Sequence, residues 1–258
     1  MSTRTAPIGD HLRAWRQRRR MSQMDLALEA EISTRHLSCL ETGRAMPSRA
    51  MVLRLAEQLD VPLRERNLWL TAAGFAAAYP ERALDDPAMR PARAAMEAVL
   101  AAHAPNPALA VDRHWNLVSA NASVSSLMAG AGAALLAPPL NVLRLVLHPD
   151  GLAPRIVDLA LLKGHLLSRL ARQAMVSGDP VLLELLRELR DYPAPPGGGE
   201  EPEMLALPFK LRAGETVLSF LTTTMVFGTA HEVALSELTV ETFFPMDEAT
   251  REALRRLS

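Results

Sequence analysis

Residues 22–44, SQMDLALEAEISTRHLSCLETGR, leave the backbone little freedom. Ser22 is a good N-cap, because its hydroxyl accepts a bond from an early helical N–H. Asp25 follows in the electropositive first turn. Met24, Leu26, Ala27 and Leu28 supply apolar side chains as far as Glu29 or Ala30. Ser33 offers a second N-cap. Leu37 and Leu40 then fall on one buried stripe, while Thr34, Arg35, Ser38 and either Cys39 or His36 lie on other faces. Gly43 supplies the residue without Cβ that a helix end prefers. The spacing predicts two short helices joined by a tight turn, the second presenting polar side chains.

Three more helices surround this pair. Ile8 to Arg20 places Leu12 and Trp15 inward and ends in Arg18-Arg19-Arg20. Ser48 caps a helix through Leu59, with Leu53, Leu55 and Ala56 apolar. Pro62 fits the first position of a fifth helix that has Leu63, Leu68, Trp69 and Leu70 to bury. Gly74 ends it. The Ser22-Gln23 opening, the Leu26-Ala27 pair and Leu40-Glu41-Thr42-Gly43-Arg44 resemble the phage-repressor-like helix-turn-helix regulators, the XRE family, over roughly residues 8–73. That resemblance implies that Gln23 helps anchor DNA and that Thr34, Arg35 and Ser38 face the major groove. It also implies a buried structural pair between Arg16 and Glu41. Ser33 and His36, at the start of the same helix, complete the candidate reading face.

Charge agrees with a DNA partner. Residues 1–70 carry 12 arginines against 8 acidic residues, and the remainder carries 16 basic against 21 acidic residues. A net charge of −1 therefore hides a basic head suited to a phosphate backbone. Arg18, Arg19, Arg20, Arg44 and Arg49 are candidates for phosphate contacts, and Arg35 for bidentate reading of guanine. A merely solvated arginine surface is the plainer alternative.

At 258 residues and 49% hydrophobic, the chain has material for two cores. The expected division is a DNA-binding domain over 1–73, a helical connector over 74–106 and a second domain over 107–258. In the connector, Asp86 can cap a helix from about Ala88 to His103. Ala108–Val111 and Trp115–Ser119 read as a hairpin around Asp112-Arg113-His114. Asn121 can cap a short helix to Met128, and Asn141–Leu147 is another. Pro154–Val176 is the longest helix, apolar on more than one face and so covered on several sides. Asp179-Pro180 starts a helix ending near Arg190. Pro193–Pro202 is a Pro/Gly/Glu-rich loop. Strands are expected at Leu205–Arg212, Thr216–Phe227 and His231–Phe244, then a helix over Glu248–Leu257 capped by Asp247.

Two strands, several helices and three strands is the order of a PAS-like domain with a five-stranded antiparallel sheet. The fold class is thus α+β: an all-α five-helix head, then a PAS-like domain. Asn106-Pro107-Ala108-Leu109, Val111-Asp112-Arg113-His114-Trp115-Asn116, Asn121 and Leu143–His148 resemble the MmyB-like ligand-binding domain that follows a helix-turn-helix in one group of regulators. The resemblance implies an association with fatty acids or similar apolar carboxylates. The segment Leu205–Phe244 departs from that family's common pattern.

A lipid-type pocket needs apolar walls with a few polar groups at one end. Trp115, Asn121, Leu143, Leu147, Leu162, Leu166, Phe220 and Phe227 are candidates for the site, with Leu218 and Met225 as further wall residues. The same side chains also suit plain core, Trp115 especially, and Asn121 suits a cap. Arg144, His148, His165 and Lys163 are candidates for an acid end, although Arg144 and Lys163 equally suit a solvated helix face. Burying a ligand carboxylate without such a partner would cost several kcal/mol.

Catalytic motifs are missing: there is no GxSxG, HExxH or phosphate loop, and the histidines show no ligand spacing. Glu200-Glu201-Pro202-Glu203 reads as a loop. The single Cys39 rules out an internal disulfide. No apolar run has membrane length, the N-terminus does not read as a signal peptide, and a cytoplasmic location is expected. The expectation is a regulator, not an enzyme. It binds operator DNA as a homodimer and senses a small apolar ligand, with no cofactor or metal beyond a fatty acid as effector. The alternative is a DNA-binding protein whose second domain is a ligand-free dimerisation or docking module.

Overall fold

The computed structural model describes residues 6–195, 208–228 and 230–257. The chain divides into two units. The first holds Met1–Arg82 with Met175–Ser177 and Thr229–Ser236, and the second holds Ala83–Ala174, Gly178–Gly228 and Glu237–Ser258. The segment expected as a connector is shared between them at Arg82/Ala83 and does not stand apart.

In the first unit the five helices are α1 (Ile8–Arg18), α2 (Gln23–Glu29), α3 (Thr34–Glu41), α4 (Arg49–Gln58) and α5 (Leu63–Ala72). Ser22, Ser33 and Ser48 each accept a bond from a first-turn N–H, and Ser22 with Asp25 forms a reciprocal capping box. Pro62 precedes the first helical residue of α5 and does not occupy it. Leu12, Trp15, Leu26, Leu37, Leu40, Leu55, Leu59, Trp69 and Leu70 form one core. Met24, Leu28 and Leu68 stay exposed.

Each of the five helices ends on the same backbone device. The residue two beyond the cap donates its N–H to the carbonyl of the third-last helical residue: Met21 to Arg16, Ile32 to Ala27, Arg44 to Cys39, Val61 to Ala56 and Phe75 to Leu70. The residue before it is left-handed: Arg20, Glu31, Gly43, Asp60 and Gly74. These are Schellman caps, and Met21, Ile32, Val61 and Phe75 add the apolar contact that accompanies them. Gly9 lets α1 press onto the end of α3. A Cβ there would sit 2.7 Å from the carbonyl oxygens of both Leu40 and Glu41.

The same unit includes a single helical turn, Val233–Ser236. The expected third strand began at His231, yet Glu232 starts this turn instead. Its carboxylate accepts from the N–H groups of Leu235 and Arg82, at 2.8 and 2.7 Å. Val233 is fully buried and donates its N–H to Pro80.

The second unit runs α6 (Arg90–Ala102), β1 (Ala108–Val111), β2 (Leu117–Ala120), α7 (Ala122–Met128), α8 (Ala133–Leu136), α9 (Val142–Leu147), α10 (Leu159–Ser177, all but its last three residues), α11 (Pro180–Asp191), β3 (Phe209–Ala213), β4 (Thr216–Val226), β5 (Thr239–Pro245) and α12 (Glu248–Leu257). The strands form one antiparallel sheet in the order β2-β1-β5-β4-β3. Asp179 caps α11 and Asp247 accepts from the Thr250 N–H at the start of α12. Residues 196–207 lie outside the described ones, and with them most of the expected Pro/Gly loop and the start of the first late strand.

The longest helix begins later than Pro154. Residues 153–155 make a 3₁₀ turn, after which Ile156 pairs antiparallel with Leu211 and the Val157 N–H bonds to the Lys210 carbonyl. Two β-branched residues thus extend the sheet edge before α10 starts. Arg155 fixes this exit by donating to the carbonyls of Leu127, Ala129 and Arg212.

Candidate functional site

In the first unit, α3 buries Leu37 and Leu40 and exposes Thr34, Arg35 and His36, with Ser38 half-buried. Ser33 is the N-cap, its hydroxyl accepting from the His36 N–H at 3.1 Å. Arg44 and Arg49 are exposed beyond the helix end. Gln23, at the start of α2, is half-buried and donates to Glu41 at 2.7 Å. Glu41 is the anchor of this face. Its side chain has no exposed surface and receives a two-pronged bond from Arg16, 2.6 Å from Nε and 3.0 Å from Nη2. Burial alone pushes the Glu41 carboxyl up. The bonds from Arg16 and Gln23, with the charges of Arg16 and Arg13, outweigh it and hold the group below the usual range. Helix α3 is thereby tied to α1 and α2 through one carboxylate.

Arg19 stands differently from its neighbours. Its guanidinium donates to the carbonyls of Leu59 and Asp60, at 2.7 and 2.9 Å, and lies over the Trp15 ring. It caps the C-terminus of α4, where two carbonyls lack helical partners, and so its donors are committed within the fold. Arg18 and Arg20 remain exposed.

In the second unit the apolar side chains form two clusters, one around Leu109, Trp115, Leu143 and Leu170 and one around Leu145, Ile156, Leu211 and Phe220. Leu117, Met128, Val142, Val146, Leu166 and Phe243 pack against both clusters yet are only partly buried. They border a cavity of about 130 Å³ between the sheet and helices α7, α9 and α10. Leu143, Leu145 and Leu162, with Val124 and Leu127, complete much of the apolar wall. An apolar cavity of about 150 Å³ holds a benzene-sized molecule, so this one takes a ring or the first carbons of an alkyl chain, and because it is partly open a longer chain has room to continue out of it.

Its polar side comes from α10 and the sheet: His165, Arg169, Thr222 and Glu241. Arg169 donates to Glu241 at 2.5 Å and lies over the Trp115 ring, 4.7 Å from its centroid. Trp115 holds a left-handed backbone, φ 68°, which a bulky residue adopts only under constraint. The constraint is visible. The Asp112 carboxylate accepts from the N–H groups of His114 and Asn116, and the Trp115 indole N–H donates to Gln173 at 2.9 Å.

Of the ligand-site residues expected from the sequence, Trp115, Leu143, Leu162 and Leu166 meet around this cavity, together with His165. The others lie elsewhere, each for a visible reason. Asn121 has no side-chain cap bond; it accepts from the Ala108 N–H and donates to the carbonyls of Leu100 and Asn106, clamping the start of β1. Arg144 makes a two-pronged pair with Glu188, at 2.8 and 2.7 Å. His148 packs edge-on against Tyr192 and accepts the Asp150 N–H. Lys163 caps the end of α11 through the carbonyls of Arg190 and Tyr192. Leu147 and Phe220 are core, Leu218 packs with Phe220, and Met225 is exposed. Phe227 follows β4 and does not border the cavity. Arg169, Glu241 and Phe243 were missed. Their sequence neighbourhoods carry no motif, and only the packing of α10 on β5 brings them to the site.

Among the described residues no helix is long and apolar enough to cross a membrane, and no group of acidic, His and Cys residues could hold a metal. Among curated proteins none matches the chain. A family model described as a helix-turn-helix domain matches residues 7–69. The model described as the MmyB-like transcription regulator ligand binding domain matches residues 92–257, well over half of the chain. With an exposed polar helix face in one unit and an apolar cavity in the other, this protein belongs to the MmyB-like transcription regulators, DNA-binding proteins that carry a ligand-binding domain.

Proposed function

We propose that the chain is a one-component sensor. The head binds an operator as a homodimer, and the cavity of the second unit takes an apolar acyl-chain molecule, a fatty acid or a derivative of one, that shifts DNA affinity. The observation that carries the effector is the cavity itself, walled by Leu117, Leu143, Leu166 and Phe243 and polar only at Arg169, Glu241, Thr222 and His165. A dry docking module would have no reason to leave such a space between its two core clusters, since interiors are otherwise close-packed. Thr34, Arg35, His36 and Ser38 would read bases, Gln23 and Ser33 would set the helix at the backbone, and Arg44 and Arg49 would meet phosphates. Pairing of two heads would place recognition helices one turn of DNA apart. Ligand binding changes DNA affinity only if the two DNA states hold the ligand differently.

Native mass spectrometry of the purified full chain tests the effector and the dimer together. The expected spectrum is a dimer carrying added mass of one acyl molecule per chain. A monomer at all concentrations, with no adduct after incubation with saturated C8–C14 acids, alcohols and esters, would contradict both.

A further inference from the structure

The polar end of the cavity holds one cationic and one anionic side chain, and they are already joined. Arg169 Nη2 lies 2.5 Å from Glu241 Oε1 and 3.3 Å from Thr224 Oγ1. Thr224 Oγ1 also lies within 3.3 Å of both Glu241 oxygens. Glu241 has no easy way out. It sits on β5 in the interior of the sheet with only 6% of its surface exposed, whereas the Arg169 side chain keeps 30% of its surface and lies with its guanidinium over the Trp115 ring. Leaving a buried carboxylate without its cation is strongly unfavourable.

A ligand carboxylate entering here meets that arrangement as a second anion. It must either take Arg169 away from Glu241 or share one guanidinium with it at close range, and two carboxylates in one site disfavour each other's charge. An uncharged oxygen needs only a donor. A guanidinium carries five N–H donors, and both bonds above leave from Nη2. His165, one turn earlier on α10, faces the same space.

We propose that the Arg169–Glu241 pair makes this a site for acyl chains with an uncharged polar head group, such as a fatty alcohol, ester or lactone, and that Glu241 excludes the carboxylate form. This rests on the effector function proposed above and narrows its chemistry. It also sets a division of labour: the apolar wall measures the chain, and Glu241 selects the head group.

The test is a titration of the full chain at neutral pH with a matched set: decan-1-ol, methyl decanoate and sodium decanoate, followed by calorimetry. The wild-type chain is expected to bind the alcohol and the ester at least about tenfold tighter than the acid salt, about 1.4 kcal/mol. Glu241→Gln, close in shape and without the charge, is expected to gain affinity for decanoate by about the same factor. Equal or tighter binding of decanoate by the wild-type chain overturns the inference and leaves the effector cavity standing. An unchanged preference in a folded Glu241→Gln protein overturns Glu241 as its cause. No binding of any of the three overturns the effector cavity and the inference together. The wild-type comparison needs no variant, so it decides even if Glu241→Gln fails to fold.

Discussion

Glu41 shows how one buried side chain can hold the exposed polar face of α3 in place. It is fully buried, and its bonds come from Arg16 on α1 and Gln23 on α2. Removing Arg16 strands that charge, so Arg16→Ala should cost about 3 kcal/mol in urea unfolding. Because the folded carboxyl titrates below its usual range, its contribution is present above the unfolded carboxyl value, near 4.3, and is lost as pH falls through the folded value. The thermal midpoint should therefore drop below about pH 4, and Glu41→Gln should flatten that decline. The exposed arginines behave differently. Arg35→Ala should lose about 1–3 kcal/mol on the operator and little on random DNA, whereas Arg49→Ala should weaken all sequences and reduce the salt slope by about 1. Arg19→Ala, having lost the Leu59 and Asp60 carbonyls as partners, should appear in unfolding curves instead. Sequence alone separates none of these arginines, since partners forty residues away decide which guanidinium is occupied. The Arg16–Glu41 pair was legible only through a family resemblance, and Arg169–Glu241 through nothing local.

At the scale of elements, helix starts were readable and helix ends only in part. Ser22, Ser33 and Ser48 announce their caps by residue type. The five Schellman ends use glycine at Gly43 and Gly74, where the cap residue was read, and Arg20, Glu31 and Asp60 elsewhere, where the helix end was placed but its left-handed residue was not. The apolar residue after each of those three, Met21, Ile32 and Val61, is the surviving signal. Glu31 lies in the turn between α2 and α3 at φ 54°, a conformation glycine holds with less strain. Glu31→Gly should raise stability by about 0.5 kcal/mol, measured by urea midpoint; its distant pair with Arg54, at 3.9 Å and well exposed, contributes little. Gly9→Ala is the opposite case. Two carbonyls stand where the methyl group would go, and a loss of about 2 kcal/mol is expected. In the second unit two early and three late strands were legible from residue type and turns, although the last starts at Thr239 and not at His231. The late start of α10 was not, because Ile156 and Val157 suit a helix face as well as a sheet edge.

For the whole molecule, the family assignment joins a DNA-binding head to a ligand-binding domain, and the central claim is that the two affinities are linked. Linkage is reciprocal, and typical coupling changes affinity by about 5- to 150-fold. The fold of both units followed from periodicity and caps. The cavity did not, since a wall residue and a core residue look alike in sequence until packing leaves a gap between Leu117, Leu166 and Phe243. The most direct measurement is a fluorescence-anisotropy titration of the full chain on DNA from upstream of its own coding sequence, with and without saturating decan-1-ol or methyl decanoate. The apparent Kd should shift by about tenfold or more, and Leu166→Trp, which fills the cavity, should abolish the shift. Superimposable curves with ligand demonstrably bound would contradict the linkage.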